Sequence, residues 1–283
     1  MIISGEWASA IQDYLNAITA AGHRPNTVYA RRQQLQHLAR RVEVGPWQLD
    51  HEQLVAYLGA QQWARETRRS RIAAIEGFYD WGVKRKHIGR KRRPTKGLTK
   101  LSPADPQPRP VPDQVYLEAL IRAGADEALW IDLAAEHGLR RAEIAGMHSR
   151  DIVPTLLGYD LIVHGKGGKD RLVPLTAPMA RALLERGDGW LWVGDDGGHI
   201  SPRWLGFRVN RLLSGAWTIH KLRHRAATRF WVTAGGDPYV VAELMGWASI
   251  AMVRTYVKLP DDRLRNVVEG ASRAGSPIVR GIP

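Results

Sequence analysis

The stretch formed by residues 220–256 contains side chains that suit the cleavage of a phosphodiester bond. His220 and Arg223 are three positions apart, so both can lie on one face of a helix. Trp247 and Tyr256 are nine positions apart near the end of the stretch. A guanidinium matches the oxygens of a phosphate, an indole N–H donates a hydrogen bond, and a phenol can be a covalent nucleophile. The stretch therefore predicts a site that attacks phosphate with a tyrosine.

Two cations upstream complete the set of groups that this reaction needs. Arg140 follows a glycine and a leucine, and Lys166 lies between two glycines. Cleavage requires positive charge near the two non-bridging oxygens and an acid for the leaving oxygen. Most phosphoryl-transfer enzymes use magnesium for this charge, but the sequence contains no obvious carboxylate cluster to hold it. We therefore expect the arginines and the lysine to supply the charge in place of a metal.

Five short motifs occur in the order of a known enzyme family. They read Gly-Leu-Arg-x-x-Glu, Gly-Lys-Gly, His-x-Leu-Arg-His, Leu-x-Gly-Trp and Tyr, and His220 and Tyr256 are 36 positions apart. In order and spacing they resemble the tyrosine recombinases, or lambda-integrase family, which includes phage integrases, Xer-type recombinases and Cre. The resemblance is strong over residues 113–258 and weaker before them. It implies a site-specific recombinase that cleaves and rejoins duplex DNA through a 3′-phosphotyrosine intermediate and a Holliday junction, with no metal and no nucleotide cofactor.

The resemblance implies a role for each of the six side chains named above. Tyr256 is expected to be the nucleophile, and the two arginines are expected to bind the non-bridging oxygens of the scissile phosphate. His220 would hydrogen-bond the phosphate and assist proton transfer from the tyrosine, and Lys166 would protonate the leaving oxygen. Trp247 stands where most members have histidine and Cre-like members have tryptophan. Because an indole is a donor only, Trp247 can stabilise charge but cannot transfer a proton.

Several of these assignments have a competing interpretation. Tyr256 can be a buried aromatic side chain, and Arg140 can form an ion pair with Glu143, which we expect to brace the local structure. We interpret the second histidine of the His-x-Leu-Arg-His motif as structural. Both hairpin lysines can instead do no more than contact the minor groove. The neighbours that compete for three of the roles, and that the motif order disfavours, are Arg141, Lys169 and His224.

The charge of the chain indicates a polyanionic partner. It carries 41 Lys and Arg against 28 Asp and Glu, a net charge of +13, and it contains no cysteine. Residues 1–112 hold 19 of the basic side chains and nine of the acidic ones. DNA is the usual partner of such an excess, and a merely solubilising surface is the alternative. No apolar run approaches a membrane span and residues 1–4 do not resemble a signal peptide, so we expect a cytoplasmic, nucleoid-associated protein of a bacterial host cell.

The sequence pattern divides the chain into two domains and a linker. Residues 1–88 show apolar side chains at helical spacing and no strand-like alternation, which predicts a small helical DNA-binding domain. Residues 89–112 contain six prolines and predict an extended basic linker. Residues 113–283 predict a mixed catalytic domain. The predicted fold class is mainly α with a small β-sheet, a helical core-binding domain followed by an α+β catalytic domain.

Within these domains, smaller patterns locate individual features. Asp50 and Gln53 predict a capping box. Residues 156–164 and 171–175 predict two strands joined by the glycine-rich hairpin. The side chains predicted to contact DNA lie at the start of the fourth helix, in the linker and on the hairpin; they are Arg65, Arg68, Arg69, Arg71, Arg90, Lys91, Arg92, Arg93 and Lys169.

The resemblance also implies how the protein assembles on DNA. We expect binding to inverted core half-sites of double-stranded DNA and a tetramer in the synaptic complex. Because the first amphipathic helix begins near residue 6, we expect no additional arm-binding domain. Beyond Pro260, an apolar stripe predicts a tail helix that docks on a neighbouring protomer, with docking on its own domain as the alternative. The stripe consists of Leu264, Val267, Val268 and Ala271.

Two other functions compete with recombination. A type IB topoisomerase would use the same chemistry to relax supercoils without joining partners, but the short basic helical domain fits a recombinase better. A DNA-binding protein on an integrase-like scaffold without activity would form no covalent adduct, and the complete set of reactive side chains disfavours it.

Overall fold

The chain is mainly α-helical, with one small antiparallel sheet, as the sequence predicts. The computed structural model describes residues 3–99, 101–102, 108–165, 168–257 and 269. The chain divides into two compact units, Met1–Asp105 and Pro106–Pro283. Within the described ranges, no helix has both the length and the apolar character needed to cross a membrane.

The first unit is built from four helices around an aromatic core. They are α1 (Gly5–Ala20), α2 (Pro25–Ala39), α3 (His51–Gly59) and α4 (Arg65–Lys84). Trp7, Ile11 and Leu15 on one face of α1 are all buried, and Ile18 on the same helix is partly buried. The predicted capping box at α3 is confirmed, because the Asp50 carboxylate accepts from the Gln53 amide at 2.8 Å and the Gln53 side chain accepts from the Asp50 amide at 3.1 Å.

The first compact unit extends to Asp105, whereas the predicted linker begins at residue 89. Residues 89–99 form turns that pack on the first unit rather than an extended linker. Ile88 and Thr95 are buried, and Leu98 packs against the aromatic core. His51 Nδ1 donates to the carbonyl of Pro94 at 2.9 Å. The apolar side chains within the basic run favour burial over extension, and proline is well suited to tight turns.

The second unit alternates helices with a three-stranded sheet. Its elements are α5 (Asp113–Arg122), α6 (Ala125–Ala135), α7 (Arg141–Ala145), β1 (Ile152–Thr155), β2 (Gly158–Val163), β3 (Arg171–Leu175), α8 (Ala177–Leu184), α9 (Pro202–Leu212), α10 (Ile219–Thr233), α11 (Pro238–Met245) and α12 (Val253–Tyr256). Helix α6 is central, since Trp130, Ile131 and Leu133 are fully or almost fully buried. The predicted tail helix beyond Pro260 lies outside the described residues.

The sheet has the order β1-β2-β3, with both pairs antiparallel. Leu161 of β2 lies opposite Ile152 on one side and Val173 on the other, so the apolar side chains share one face. Strands β2 and β3 agree with the prediction, but β1 was not predicted. Its four residues include Pro154, a poor strand residue that is tolerated here because β1 is at the edge of the sheet.

A separate small core holds the last helices together. Ala227 of α10, Met245 of α11 and Val253 of α12 are buried against one another. Trp247 and Tyr256 pack against this cluster. The cluster therefore positions the end of α11 and the tyrosine next to α10, which carries the histidine and arginine motif.

Candidate active site

Arg140 lies at the start of α7 and is held by Glu143. Gly138, two residues earlier, has a φ of +68°, and a Cβ there would lie 2.8 Å from the sulfur of Met245. Only glycine suits both constraints. The Glu143 carboxylate accepts from the Arg140 amide at 2.8 Å and from Arg140 Nη1 at 2.6 Å. The competing ion pair is therefore present, yet 42% of the Arg140 side chain remains exposed, so its guanidinium is accessible to a ligand.

Arg223 of α10 is almost completely buried, with 1% of its side chain exposed. Its Nη1 donates to the carbonyl of Gly138, and its Nη2 donates to the carbonyl of Met245. Burial, reinforced by the charge of Arg140, lowers the pKa of Arg223 to about 9, so it stays charged at neutral pH. Its Nε is buried without a hydrogen-bond partner among the described residues. The Nε–H is therefore a donor that a phosphate oxygen can use.

Arg171, the first residue of β3, is a site residue that sequence reasoning missed. Its Nη1 and Nη2 donate to the two oxygens of Glu143 at 3.1 and 2.9 Å. Both side chains are buried, with exposed fractions of 6% and 8%. Burial alone would raise the pKa of the Glu143 carboxyl, but Arg171 and then Arg140 lower it to about 2. The available signal was an arginine in register with Val173 on the buried face of β3.

Three aromatic rings surround Tyr256. The His224 ring centroid is 4.4 Å from that of the tyrosine, at an interplanar angle of 33°. The Trp247 ring lies at 4.8 Å and 35°, and the His220 ring at 5.7 Å and 75°. The structure therefore brings together four side chains that the sequence spreads over 36 positions. His224, which was interpreted as structural, is the histidine whose ring is nearer to Tyr256.

The two histidines are neutral at neutral pH. The residue His220 as a whole is exposed to solvent, but its imidazole is partly surrounded by protein. This desolvation and the charge of Arg223 lower the pKa of His220. His224 is buried, and burial with the charge of Lys221 lowers its pKa to about 3. A neutral imidazole has one donor and one acceptor nitrogen. His220 can therefore accept a proton or donate to a phosphate oxygen, whereas His224 packs as an uncharged ring.

A cavity of about 490 Å³ adjoins these groups. Its lining includes Arg140, Arg141, His220 and Arg223, so at least three cationic side chains face or border it. Within the part of the chain that the structure describes, no group of three His, Cys, Asp or Glu side chains is arranged to hold a metal ion. The arrangement can bind an anion such as a phosphodiester through guanidinium groups.

Lys166 lies outside the described residues, so its placement is not part of the site's geometry. The hairpin that carries it is closed by His164, whose Nδ1 lies 3.0 Å from Asp170 Oδ2 and whose Nε2 lies 3.1 Å from Asp151 Oδ1. Hydrogen bonds to Asp151 and Asp170 raise the pKa of His164. Lys169 on the same hairpin is exposed.

The predicted DNA contacts of the first unit fall into different classes. Arg68 is engaged within the unit, since its two terminal nitrogens donate to the carbonyls of Leu58 and Gln61, each at 2.7 Å, at the end of α3. Arg93 is engaged in an ion pair with Asp80. Sequence spacing could not show these internal uses. The remaining predicted contacts Arg65, Arg69, Arg90, Lys91 and Arg92 are exposed, and Arg71 lies over the Trp63 ring at 4.5 Å.

Comparison with known proteins decides the family. Residues 113–263 match the phage integrase family, which is more than half of the chain. The chain belongs to the phage integrase family. Tyrosine recombinase XerC of Methylobacterium sp. (strain 4-46) is 36% identical over 195 residues, which are 60% of this chain and 60% of that protein. The match thus spans about three-fifths of the length of this relative.

Solved structures of phage integrase family members share the fold. A lambda integrase dimer bound to a COC′ core site gives a TM-score of 0.70 at 16% identity, covering 91% of this chain and 78% of that one. A lambda integrase tetramer bound to a Holliday junction gives 0.71 at 15% identity, with coverages of 89% and 77%. At these identities the likeness shows the fold alone, and the function is inferred from the site.

Proposed function

We propose that this chain is a site-specific DNA recombinase that cleaves and rejoins duplex DNA through a covalent bond to Tyr256. One observation carries the proposal. The Tyr256 ring packs against those of His224 and Trp247, while α10 carries both His220, whose ring lies 5.7 Å from that of the tyrosine, and Arg223. His220 also lines the cavity that Arg140 and Arg223 line, so the partly buried tyrosine lies near a cationic cavity and not only in a packing cluster.

In the proposed reaction, the Tyr256 hydroxyl oxygen attacks the scissile phosphorus. A new P–O bond forms to the tyrosine, the bond to the 5′-oxygen breaks, and the DNA keeps a 3′-phosphotyrosyl end. His220, which is neutral because burial lowers its pKa, is the acceptor for the phenolic proton. Lys166 is proposed to protonate the departing oxygen. Because one phosphodiester replaces another, the reverse attack rejoins DNA without ATP.

Charge compensation comes from the arginines. Arg140 presents an exposed guanidinium, and Arg223 keeps a buried Nε without a partner among the described residues. The indole Nε1 of Trp247 is likewise buried and unpaired in that part of the chain. These donors are already fixed by packing, and preorganised donors stabilise developing charge without reorganising in the reaction. Cleavage should therefore persist in EDTA, and a loss that magnesium restores would contradict the mechanism.

We extend the proposal to the DNA partner and the assembly. The fold is shared with lambda integrase, whose structures contain a core site in one case and a Holliday junction with a tetramer in the other. The charge of +13 favours a nucleic-acid partner. We propose that the chain binds inverted half-sites of double-stranded DNA, forms a tetramer during strand exchange, and acts in the cytoplasm of a bacterial cell at the nucleoid.

A covalent-trapping experiment tests the activity. The wild-type protein and the variant Tyr256→Phe are incubated with nicked suicide duplexes that carry candidate junction sequences recovered from expressing cells. We expect a denaturation-resistant protein–DNA adduct with the wild type only, and equal half-site binding by both proteins, since the variant loses a single oxygen atom. An adduct formed by Tyr256→Phe would exclude this tyrosine as the nucleophile.

The same proteins distinguish recombination from relaxation. A type IB topoisomerase relaxes any supercoiled plasmid and joins no partners, whereas a recombinase converts a plasmid with two sites into separate or inverted products. We expect recombinant products that depend on both sites. Relaxation of plasmids without sites, and no recombinants, would favour the topoisomerase alternative.

A further inference from the structure

Arg171 connects two parts of the second unit through a single buried guanidinium. Its terminal nitrogens hold both oxygens of Glu143 on α7, and its Nε donates to the carbonyl of Leu244 on α11 at 3.1 Å. All three nitrogens are therefore engaged. A lysine can supply one charge but cannot reproduce three donors in a fixed plane.

The contact to Leu244 determines how α11 ends. The last carbonyls of a helix have no partner within the helix and form its negative end. Two successive ones are taken by arginines, Leu244 by Arg171 and Met245 by Arg223. Gly246 follows with φ +60°, and a Cβ there would lie 2.7 Å from the Arg171 Cδ. The guanidinium thus packs against the residue immediately before Trp247.

The contact to Glu143 determines what Arg140 can do. Glu143 is the carboxylate shared by Arg140 and Arg171, and Arg223 Nη1 lies 3.9 Å from it. With Arg171 in place, the carboxylate is already neutralised by a buried bidentate partner. Without it, Glu143 would keep Arg140 at 2.6 Å and the more distant Arg223 at 3.9 Å, and the Arg140 guanidinium would turn from the cavity to pair more fully with the carboxylate.

We propose that Arg171 is a positioning residue for DNA cleavage, which holds Arg140 towards the phosphate through Glu143 and Trp247 against Tyr256 through the end of α11. This inference rests on the proposed recombinase function. Arg171 touches none of the reacting atoms in this scheme. Its effect is on the placement of one guanidinium and one indole, and an error of about 1 Å in placement can lower a rate about 100-fold.

Arg225 offers a matched control in the same unit. Its side chain is 5% exposed, compared with 6% for Arg171, and it also pairs with carboxylates, those of Glu136 and Asp113. Its guanidinium also lies 4.1 Å from the centre of the Tyr116 ring. Its carboxylate partners lie at the first residue of α5 and just after the end of α6, and they are 74% and 31% exposed. Removing Arg225 therefore tests the loss of a buried guanidinium and its ion pairs without the proposed effect on Glu143 and on the end of α11.

The experiment compares Arg171→Gln, Arg171→Lys and Arg225→Gln with the wild type. Single-turnover cleavage of a suicide duplex, half-site affinity and melting temperature are measured for each. We expect cleavage to fall about 100-fold in Arg171→Gln and less in Arg171→Lys, with half-site affinity nearly unchanged. Arg225→Gln should lower the melting temperature at least as much, yet cleave at close to the wild-type rate. If Arg171→Gln does not fold, Arg171→Lys decides the comparison, because it keeps the charge.

A modified substrate separates positioning from general destabilisation. A methylphosphonate at the scissile position lacks one charged non-bridging oxygen, so less guanidinium charge is needed. The defect of the Arg171 variants should shrink on this substrate if Arg140 is misplaced. Wild-type cleavage by both Arg171 variants, a defect equal to that of Arg225→Gln, or an unchanged defect on the methylphosphonate would overturn the inference. A wild-type protein that forms no adduct would instead overturn the proposed function, and this inference with it.

Discussion

An exposed arginine of the first unit and two buried arginines of the second have opposite environments. In the first unit, Arg69 of α4 pairs with Glu66 at 2.8 Å, with 46% and 51% of the side chains exposed. In the second unit, Arg171 and Arg223 are almost fully buried around one carboxylate. An exposed pair contributes little to stability and can exchange its partner for a phosphate at small cost. A buried pair cannot be separated without leaving a charge in a poorly solvated place.

This difference in burial indicates what the exposed and the buried arginines can each contribute to function. Exposed arginines can bind a polyanion in a graded way, since each phosphate contact adds a similar amount and responds to salt. The buried arginines act as a unit, because they share Glu143 and the carbonyls that end α11. We therefore expect substitutions in the second unit to have large and coupled effects, and substitutions in the first unit to have small and additive ones.

The largest effect is expected from Glu143→Gln. The change removes the negative charge that the surrounding arginines share, and breaking a buried pair from one side costs about 3–5 kcal/mol. Thermal or chemical unfolding of the protein would measure this loss, and covalent trapping would report a decrease in cleavage. A stability loss below about 1 kcal/mol, the value typical of an exposed pair, would remove the distinction between the two units.

The indole of Trp247 comes next. It contacts Tyr256 at 4.8 Å between ring centroids, and its Nε1 is buried without a partner among the described residues. Trp247→His keeps an N–H donor and a flat ring and should retain substantial cleavage. Trp247→Ala removes both and should lower the rate about 10- to 100-fold, the scale of one preorganised donor or less. Equal cleavage by the alanine variant and the wild type would show that the indole serves packing alone.

The sequence predicted the site residues best where they belong to short motifs with a fixed order and spacing. Arg140, His220, Arg223, Trp247 and Tyr256 were named from order and spacing, and the structure places the last four close together around α10. Arg171 was missed because its function depends on Glu143 and Leu244, which are distant in sequence.

Prediction of the fold from the sequence also failed where a feature depends on residues that are distant in the chain. Helical periodicity identified most helices, but the position of Pro154 in an edge strand depends on its neighbours. Likewise, Arg68 looked like a DNA contact because a cluster of arginines predicts an exposed surface. Its use at the end of α3 depends on the turn that follows that helix. Contacts between distant segments have no local signature in a single sequence.

The pH dependence of stability provides a smaller test. The pKa of His224 is about 3 in the folded chain and about 6.5 in an unfolded one. Between these values the unfolded state binds more protons. The contribution of His224 to the free energy of unfolding is therefore fully present above about pH 6.5 and is lost as the pH decreases. From pH 7 to 5 this histidine should contribute up to about 2 kcal/mol of loss.

The variant His224→Phe keeps a ring against Tyr256 and removes the titration. Unfolding of the wild type and the variant at pH 7 and pH 5 gives the difference directly. Other histidines contribute to the wild-type dependence, because burial also lowers the pKa of His37 in the first unit, to about 4, and the pKa values of His137 and His220 in the second. We expect the variant to lose only the part that belongs to His224. An unchanged dependence would show that His224 is not held neutral by its site.

The smallest effect is expected on the exposed side of the comparison, at Arg68 and Arg69. These neighbours on α4 differ in use, since Arg68 donates to two carbonyls at the end of α3, whereas Arg69 forms an exposed ion pair with Glu66. If α4 faces DNA, Arg69→Ala should reduce the salt dependence of half-site binding by about one phosphate contact, without changing stability. Arg68→Ala should leave that slope unchanged and instead lower the free energy of unfolding of the first unit by about 1 kcal/mol, because two carbonyls lose their donor. Binding titrations at several salt concentrations, combined with urea unfolding, separate the two outcomes. A change of slope in Arg68→Ala but not in Arg69→Ala would mean that the internal hydrogen bonds of Arg68 give way to phosphate on binding, and that the division between structural and DNA-contacting arginines in this unit is wrong.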